Sequence, residues 1–241
     1  MSSKEDNWSA QNYNTNASFV YSAAFTAPVL GLLNPQPGER ILDLGCGTGE
    51  LDDQLAKAVG SEGFVLATDA SADMLAKAKA EFGSILNVEF AQVDSAHLSR
   101  DAVMTGSRQV DSFDGVFSNA ALHWILAQAP DKVSVFRAVH SLLAPNGRFA
   151  AELGGALNIV GIRSSIHRAL RKRGYDPVKL DPWYFPGVEE GTAMLEQAGF
   201  TVKEIALVPR ITPLPGTLVP WLRTFFVGSF KQAVEAAHGS D

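Results

Sequence analysis

The chain has 241 residues, 46% of them apolar, with a formal net charge of −6 and a single cysteine, Cys46. That apolar fraction excludes a disordered chain and suits one α/β domain of ordinary to large size. The negative balance argues against a general nucleic-acid binder, and one thiol excludes an internal disulfide or a cysteine metal cluster.

Residues 1–16 are polar and mixed in charge. They carry neither the apolar stretch of a secretory signal nor the arginines of a transit peptide. No apolar run approaches the roughly 20 residues of a membrane helix. The expected place is the cytoplasm, with no membrane and no nucleic-acid partner. Monomer and homodimer both stay open.

The segment 40–44 is short, apolar and followed at once by glycines. It reads as a buried parallel strand, entered through a turn at Pro35, Pro37 and Gly38. Residues 50–59 set Leu51, Leu55, Ala58 and Val59 at helical spacing. The unit then repeats. Residues 64–68 read as a strand ending at Asp69, and Ser71 caps a helix through Phe82. Residues 88–93 form a third strand ending at Asp94, and residues 113–117 a fourth ending near Ser118 and Asn119. Residues 132–143 form a helix closed by Pro145, Asn146 and Gly147, and residues 148–153 a fifth strand. Strand and helix in alternation predict a Rossmann-like three-layer α/β sandwich on a mostly parallel sheet.

Beyond Gly154 and Gly155 the pattern changes. Ile159, Ile162, Ile166, Ala169 and Leu170 share one side of a helix, and Arg163, Arg168, Arg171, Lys172 and Arg173 crowd the rest. A stretch rich in proline and aromatic residues covers 176–187. A helix over 188–198, a sixth strand over 200–207 and a helix over 220–237 complete the expectation.

The glycine loop carries the chemistry. Asp43, Gly45, Cys46, Gly47 and Gly49 stand between the first strand and the helix after it. Glycines there let the chain turn sharply and let a ligand approach the backbone, while the free amides of the helix start favour an anionic group. A dinucleotide fingerprint puts its third glycine one residue later, where Glu50 stands, and no P-loop lysine follows. Cys46 reads as a small filler rather than a nucleophile. No metal-ligand set is visible, His97, His140 and His238 have no partner apparent in sequence, and His167 reads as structural.

Asp43 through Gly49 resembles the first motif of the class I S-adenosylmethionine-dependent methyltransferases. The resemblance continues in chain order. It implies that Asp69, with Ala70 beside it, holds the ribose hydroxyls. It implies that Asp94, with Ser95, receives the adenine amino group. Asn119 then ends the fourth strand beside the cofactor. A carboxylate suits a diol because it accepts two hydrogen bonds. Residues 119–124, ending in His123 and Trp124, resemble the matching segment of the trans-aconitate methyltransferase-like group of small-molecule enzymes. Trp8 and Tyr13 resemble that group's lead-in, which covers the cofactor.

The resemblance divides the chain into a covering segment (1–35), a cofactor-binding core (36–153), and a substrate-side insertion with the completion of the same domain (154–241). It implies S-adenosylmethionine as cofactor and a small-molecule acceptor, with a carboxylate or hydroxyl oxygen favoured. His123 is the candidate base, and a polar wall is its other reading. Tyr13, Trp124 and Arg163 are candidates for the acceptor surface. The superfamily also implies a seventh, antiparallel strand, for which residues 208–241 offer no β-rich segment. The expectation is therefore a shortened sheet that pairs with another chain or works poorly. Two rival functions remain. One is nicotinamide-dependent reduction, against which stands the glycine spacing. The other is a catalytically silent protein that binds the cofactor or a partner.

Overall fold

The computed structural model describes residues 23–104, 112–211, 217–223, 225, 230 and 235. The chain opens with helix α1 (Ala23–Leu33), then β1 (Arg40–Leu44), α2 (Glu50–Val59), β2 (Phe64–Asp69), α3 (Ala72–Phe82) and β3 (Val88–Gln92). A short 3-10 turn (Ser95–His97) and α4 (Arg100–Met104) lead to β4 (Phe113–Asn119) and α5 (Leu122–Gln128). Next come α6 (Lys132–Leu142), β5 (Leu143–Glu152), α7 (Val160–Arg171), α8 (Val188–Gln197) and α9 (Leu218–Leu222). No described helix is long and apolar enough to cross a membrane.

The described sheet has five strands in the order β3-β2-β1-β4-β5, all parallel. β1 lies at the centre, with β2 on one side and β4 on the other. The chain therefore leaves β1 in one direction and returns to the sheet in the other. At such a switch point the loops beyond the strand ends diverge and leave a crevice.

Neighbouring strand residues point to opposite faces, and each face meets helices. Ile41 and Val65 pack with Val29 and Leu33 of α1 and with Leu51, Leu55 and Val59 of α2. Leu42, Leu44 and Leu66 pack on the other side with Val139 and Leu142 of α6. Phe113, Phe117, Leu33 and Leu55 are among the largest fully buried side chains. Each such side chain contributes about 1.5–3 kcal/mol through removal from water. A further cluster lies apart from these: Leu170, Leu180 and Trp183, with Trp124, Ile162, Ile166 and Phe185 packed against them. It joins α7 and the aromatic stretch after it into a cap.

Two expectations change. The Pro145, Asn146 and Gly147 turn does not precede β5 but lies inside it, as an irregularity in the pairing with β4. Asn146 absorbs it with a φ of 65°. The sixth strand expected over 200–207 does not form, and residues 201–211 carry no regular structure. Ile205, Leu207 and Val208 are exposed there, and Ile211 is 97% exposed. A strand depends on a neighbour with which to exchange hydrogen bonds, and apolar character alone does not supply one. This segment is held by side chains instead. Leu207 packs on Gly155, and Arg210 pairs with Glu152 at the end of β5. The helix expected over 220–237 starts at Leu218, and most of its remainder lies outside the described residues.

Candidate functional site

The carboxyl ends of the three central strands are knitted together by buried hydroxyls. Thr68 Oγ1 donates to the Asp43 carbonyl at 2.7 Å, joining β2 to β1. Ser118 Oγ donates to the Leu44 carbonyl at 2.7 Å, joining β4 to β1. The chain then bends through Gly45, Gly47 and Gly49, with φ of 79°, 59° and 88°. The amides of Gly45 and Cys46 both donate to the Thr68 carbonyl, at 2.8 and 2.9 Å. Gly45 has no room for a side chain. A Cβ there would lie 2.3 Å from Ala121 Cβ, so the glycine loop and the loop after β4 touch at this point.

Asp69 closes the bend from the β2 side. Its Oδ2 accepts the Gly47 N–H at 3.0 Å, and its Oδ1 accepts the Ser71 N–H at 2.8 Å. Those bonds aim the carboxylate at the glycine loop, and an ionised carboxylate has lone pairs for further donors. Ala70 is exposed beside it, and the Ala70 carbonyl accepts from Gln92 Nε2 at 2.9 Å. Asp94 is half exposed and caps the 3-10 turn, with Oδ1 accepting the Ala96 N–H at 3.0 Å. Its Oδ2 lies 3.2 Å from His97 Nδ1. Ser95 is buried behind it. Asn119 ends β4 opposite Glu152 of β5.

Behind the loop sits a second acidic pair. Asp43, at the end of β1, is 2% exposed, and Asp52, in the first turn of α2, is 0% exposed. Burial pushes the Asp43 carboxyl up to about 8, and burial together with the Asp43 charge pushes Asp52 well above the carboxylate range. Cys46 is buried among these acids, and burial followed by their negative charges holds its thiol protonated. That chemistry suits a filler, not a nucleophile.

The other wall of the crevice is aromatic. The Gly154 N–H, just past β5, donates to His123 Nδ1 at 3.2 Å. That bond takes the lone pair of Nδ1 and leaves Nε2 carrying the proton. Burial pushes the His123 imidazole down to about 3, so the ring is neutral at physiological pH. The ring centroid lies 5.7 Å from Phe185 and 5.5 Å from Trp124. Trp124 makes an edge contact with buried Trp183 at 5.2 Å, and Trp183 stacks on Phe185 at 6.0 Å.

Arg163 lies over the Phe185 ring, 5.4 Å from its centroid. Its Nε donates to Asp181 Oδ2 at 2.5 Å, and His167 Nε2 lies 2.8 Å from the same oxygen. The Asp181 side chain is 4% exposed. Thus His123, Phe185, Arg163, Asp181 and His167 form one continuous wall. Tyr13, expected to cover the cofactor, lies outside the described residues.

The structure brings Asp43, Gly45, Cys46, Gly47, Gly49 and Asp69 together at one bend, and His123, Trp124 and Arg163 together in the cap cluster. Three contributors escaped the sequence reading. Asp52 carried a signal, because it shares the buried helical stripe of Leu55, Ala56 and Val59 at spacings of three, four and seven. Asp181 and Phe185 carried none, since only tertiary packing sets them against α7.

Residues 35–173 match the family described as Methyltransferase domain. An uncharacterized methyltransferase of Schizosaccharomyces pombe is 38% identical over 234 residues, covering 95% of this chain and 85% of that one. The trans-aconitate 2-methyltransferase of Deinococcus radiodurans is 37% identical over 122 residues, covering 51% of this chain and 40% of the relative. Among solved structures, an S-adenosylmethionine-dependent methyltransferase from Mesorhizobium loti shares the fold with a TM-score of 0.56 and 24% identity, over 76% of this chain and 83% of that one. By sequence the chain belongs to the methyltransferase domain family, and it has the fold of the S-adenosylmethionine-dependent methyltransferases.

Proposed function

We propose that this chain binds S-adenosylmethionine at the β1–α2 bend and transfers its methyl group to an oxygen of a small-molecule acceptor. The observation that carries the reading is the Asp69 carboxylate, fastened to the Gly47 amide at 3.0 Å. It sets an acceptor for a ribose diol at the glycine bend that would hold the amino-acid tail. The donor set suits a cationic nucleoside. Asp69 serves the sugar, Asp43 the ammonium, and Asp94 with Ser95 the adenine edge. When bound, the cofactor supplies an electrophilic methyl on a sulfonium.

The chain's own task is to hold the acceptor in line and exclude water. His123 carries its proton on Nε2, so in this reading it orients an acceptor oxygen as a donor rather than removing a proton. Asp181 occupies the Nε–H of Arg163. The terminal amino groups of the guanidinium then suit a carboxylate. A carboxylate acceptor is already ionised and needs no base, which agrees with a neutral, donor-only His123. Trp124, Trp183 and Phe185 supply the apolar wall.

The test is transfer of labelled methyl from S-adenosylmethionine to a panel of carboxylic acids, phenols and amines, with Asp69→Ala as control. Turnover on a carboxylate or hydroxyl compound, lost in Asp69→Ala, is expected. Unchanged affinity and rate in that variant would remove the cofactor assignment. Cofactor binding with no acceptor methylated would instead point to a silent binding protein.

A further inference from the structure

The cap carries a charge opposite to that of the chain. Residues 157–180 hold six cations and one acid, Asp176, in a chain whose net charge is −6. Arg163 is engaged by buried Asp181. The other five, Arg168, Arg171, Lys172, Arg173 and Lys179, are exposed. Elsewhere, surface cations on α2 and α6 have carboxylates in reach: Lys57 meets Asp53 at 2.6 Å and Arg137 meets Asp131 at 3.5 Å. Among the described residues, none of the five cap cations forms an ion pair. Asp176 turns its Oδ1 to the Val178 amide at 3.0 Å instead.

The cations share a face with apolar side chains. With 3.6 residues per turn, Val160, Ser164, Arg168, Arg171 and Lys172 of α7 fall within about 120° of the helix circumference. All five are exposed. The opposite side holds Ile162, Ile166 and Leu170, packed into the cap cluster. Val160 is 51% exposed, and Leu157 and Val178, flanking the helix at its two ends, are 74% and 70% exposed. A helix end favours cations in its last turn. That accounts for part of the cluster, but Lys179 lies beyond it, and the apolar side chains gain nothing from it.

We propose that this face of α7 and the turn after it dock on an anionic lipid surface. The face is a convex strip about 18 Å long from Val160 to Lys172. It interleaves unpaired cations with separate apolar side chains. A plane of anionic headgroups over hydrocarbon matches both: the headgroups take the guanidinium and ammonium groups, and the valines enter the boundary below them. An acidic protein segment matches only the charge. The sequence expectation of no membrane rests on the lack of a spanning helix, and a surface that lies on a bilayer needs none. The proposal stands apart from the cofactor reading, because it uses none of the residues at the glycine bend.

The test is co-sedimentation of the full chain with vesicles of phosphatidylcholine, with and without phosphatidylserine. Wild-type protein is expected to pellet with the anionic vesicles at low salt, to be released as salt is raised, and to stay in solution with neutral vesicles. A basic residue near an anionic surface contributes about fivefold in partition, so Arg168→Gln/Arg171→Gln/Lys172→Gln should weaken binding about a hundredfold. Val160→Ala/Val178→Ala, which keeps every charge, should weaken it about tenfold. These side chains are exposed, so the fold is retained, and the melting midpoint checks it. Failure of the wild type to pellet with anionic vesicles, equal binding to neutral ones, or wild-type binding by the triple variant overturns the proposal. Loss in the triple variant with none in the double variant would assign the face to an acidic protein segment and overturn the bilayer.

Discussion

The two walls of the crevice are built from different materials. The cofactor wall is mostly backbone: a bend of three glycines, strand ends laced by Thr68 and Ser118, and one carboxylate bonded to two amides. The acceptor wall is side chain: three aromatic rings, a neutral imidazole and an arginine held by a buried aspartate. Backbone geometry tolerates many sequences, so that wall suits a cofactor shared by many enzymes. Side-chain geometry changes with each substitution, so we propose that acceptor choice resides in the other wall. The walls also differ in their response to protons. The Asp43–Asp52 pair holds protons more tightly than free carboxyls do, whereas His123 holds its proton less tightly than a free imidazole.

The largest expected effect tests the cofactor wall. Asp69→Ala deletes a charged acceptor, and hydrogen bonds to charged groups are worth about 1.5–3 kcal/mol each. Affinity for S-adenosylhomocysteine should fall by about ten- to a hundredfold by calorimetry. A loss below threefold would break the comparison, because the carboxylate would then serve only the loop. Gly45→Ala comes next. Its Cβ would meet Ala121 at 2.3 Å from a φ of 79°, so the two loops must separate. Overpacking of this kind costs about 1–3 kcal/mol. In a chain of this size each kilocalorie lowers the unfolding midpoint by about 2–4 °C.

On the acceptor wall, Asp181→Ala leaves Arg163 and His167 without their shared carboxylate. Arg163 is partly exposed, so solvent screens much of the change, and about 1–2 kcal/mol of stability is expected to be lost. The sharper readout is kinetic. The KM for an anionic acceptor found in the methyl-transfer panel should rise while cofactor affinity stays unchanged. Loss of cofactor affinity in this variant would mean that the two walls are not separable.

The smallest effects are the pH slopes, and their signs oppose. The Asp43–Asp52 pair has raised values in the folded state. Its contribution is fully present below the ordinary carboxylate range and is lost as pH rises toward about 8. His123 has a depressed value. Its contribution is present above about 6.5 and is lost as pH falls toward about 3. Melting of the ligand-free protein across pH 4–8 should therefore show Asp52→Asn changing the slope over the whole range. His123→Gln should change it only below about 6.5. A change above that value in His123→Gln would mean that the walls are coupled.

Much of the cofactor wall could be read directly from the residues. The bounds of β1 and α2 coincide with the expected 40–44 and 50–59, because apolar spacing and glycine punctuation act over a few neighbours. Ser71 caps α3 as expected, with Oγ accepting the Met74 N–H at 3.2 Å. The region beyond Gly154 was harder. Residues 200–207 have the apolar content of a strand and still form none, since pairing depends on an edge elsewhere in the chain. Arg163 looked like one of five cations on a helix. Only the fold shows Asp181, eighteen residues on, at its Nε.

The sequence alone therefore determined the central elements, the glycine bend and the acid at the end of β2. Each follows from local rules: hydrophobic period, turn chemistry and the conformations open to glycine. Tertiary structure decided which donors and acceptors meet. It turned His123 into a donor through Gly154, gave Arg163 its carboxylate, and closed Asp43 and Asp52 away from water. Those outcomes depend on burial and on partners distant in sequence, and neither quantity is written into any short run of residues.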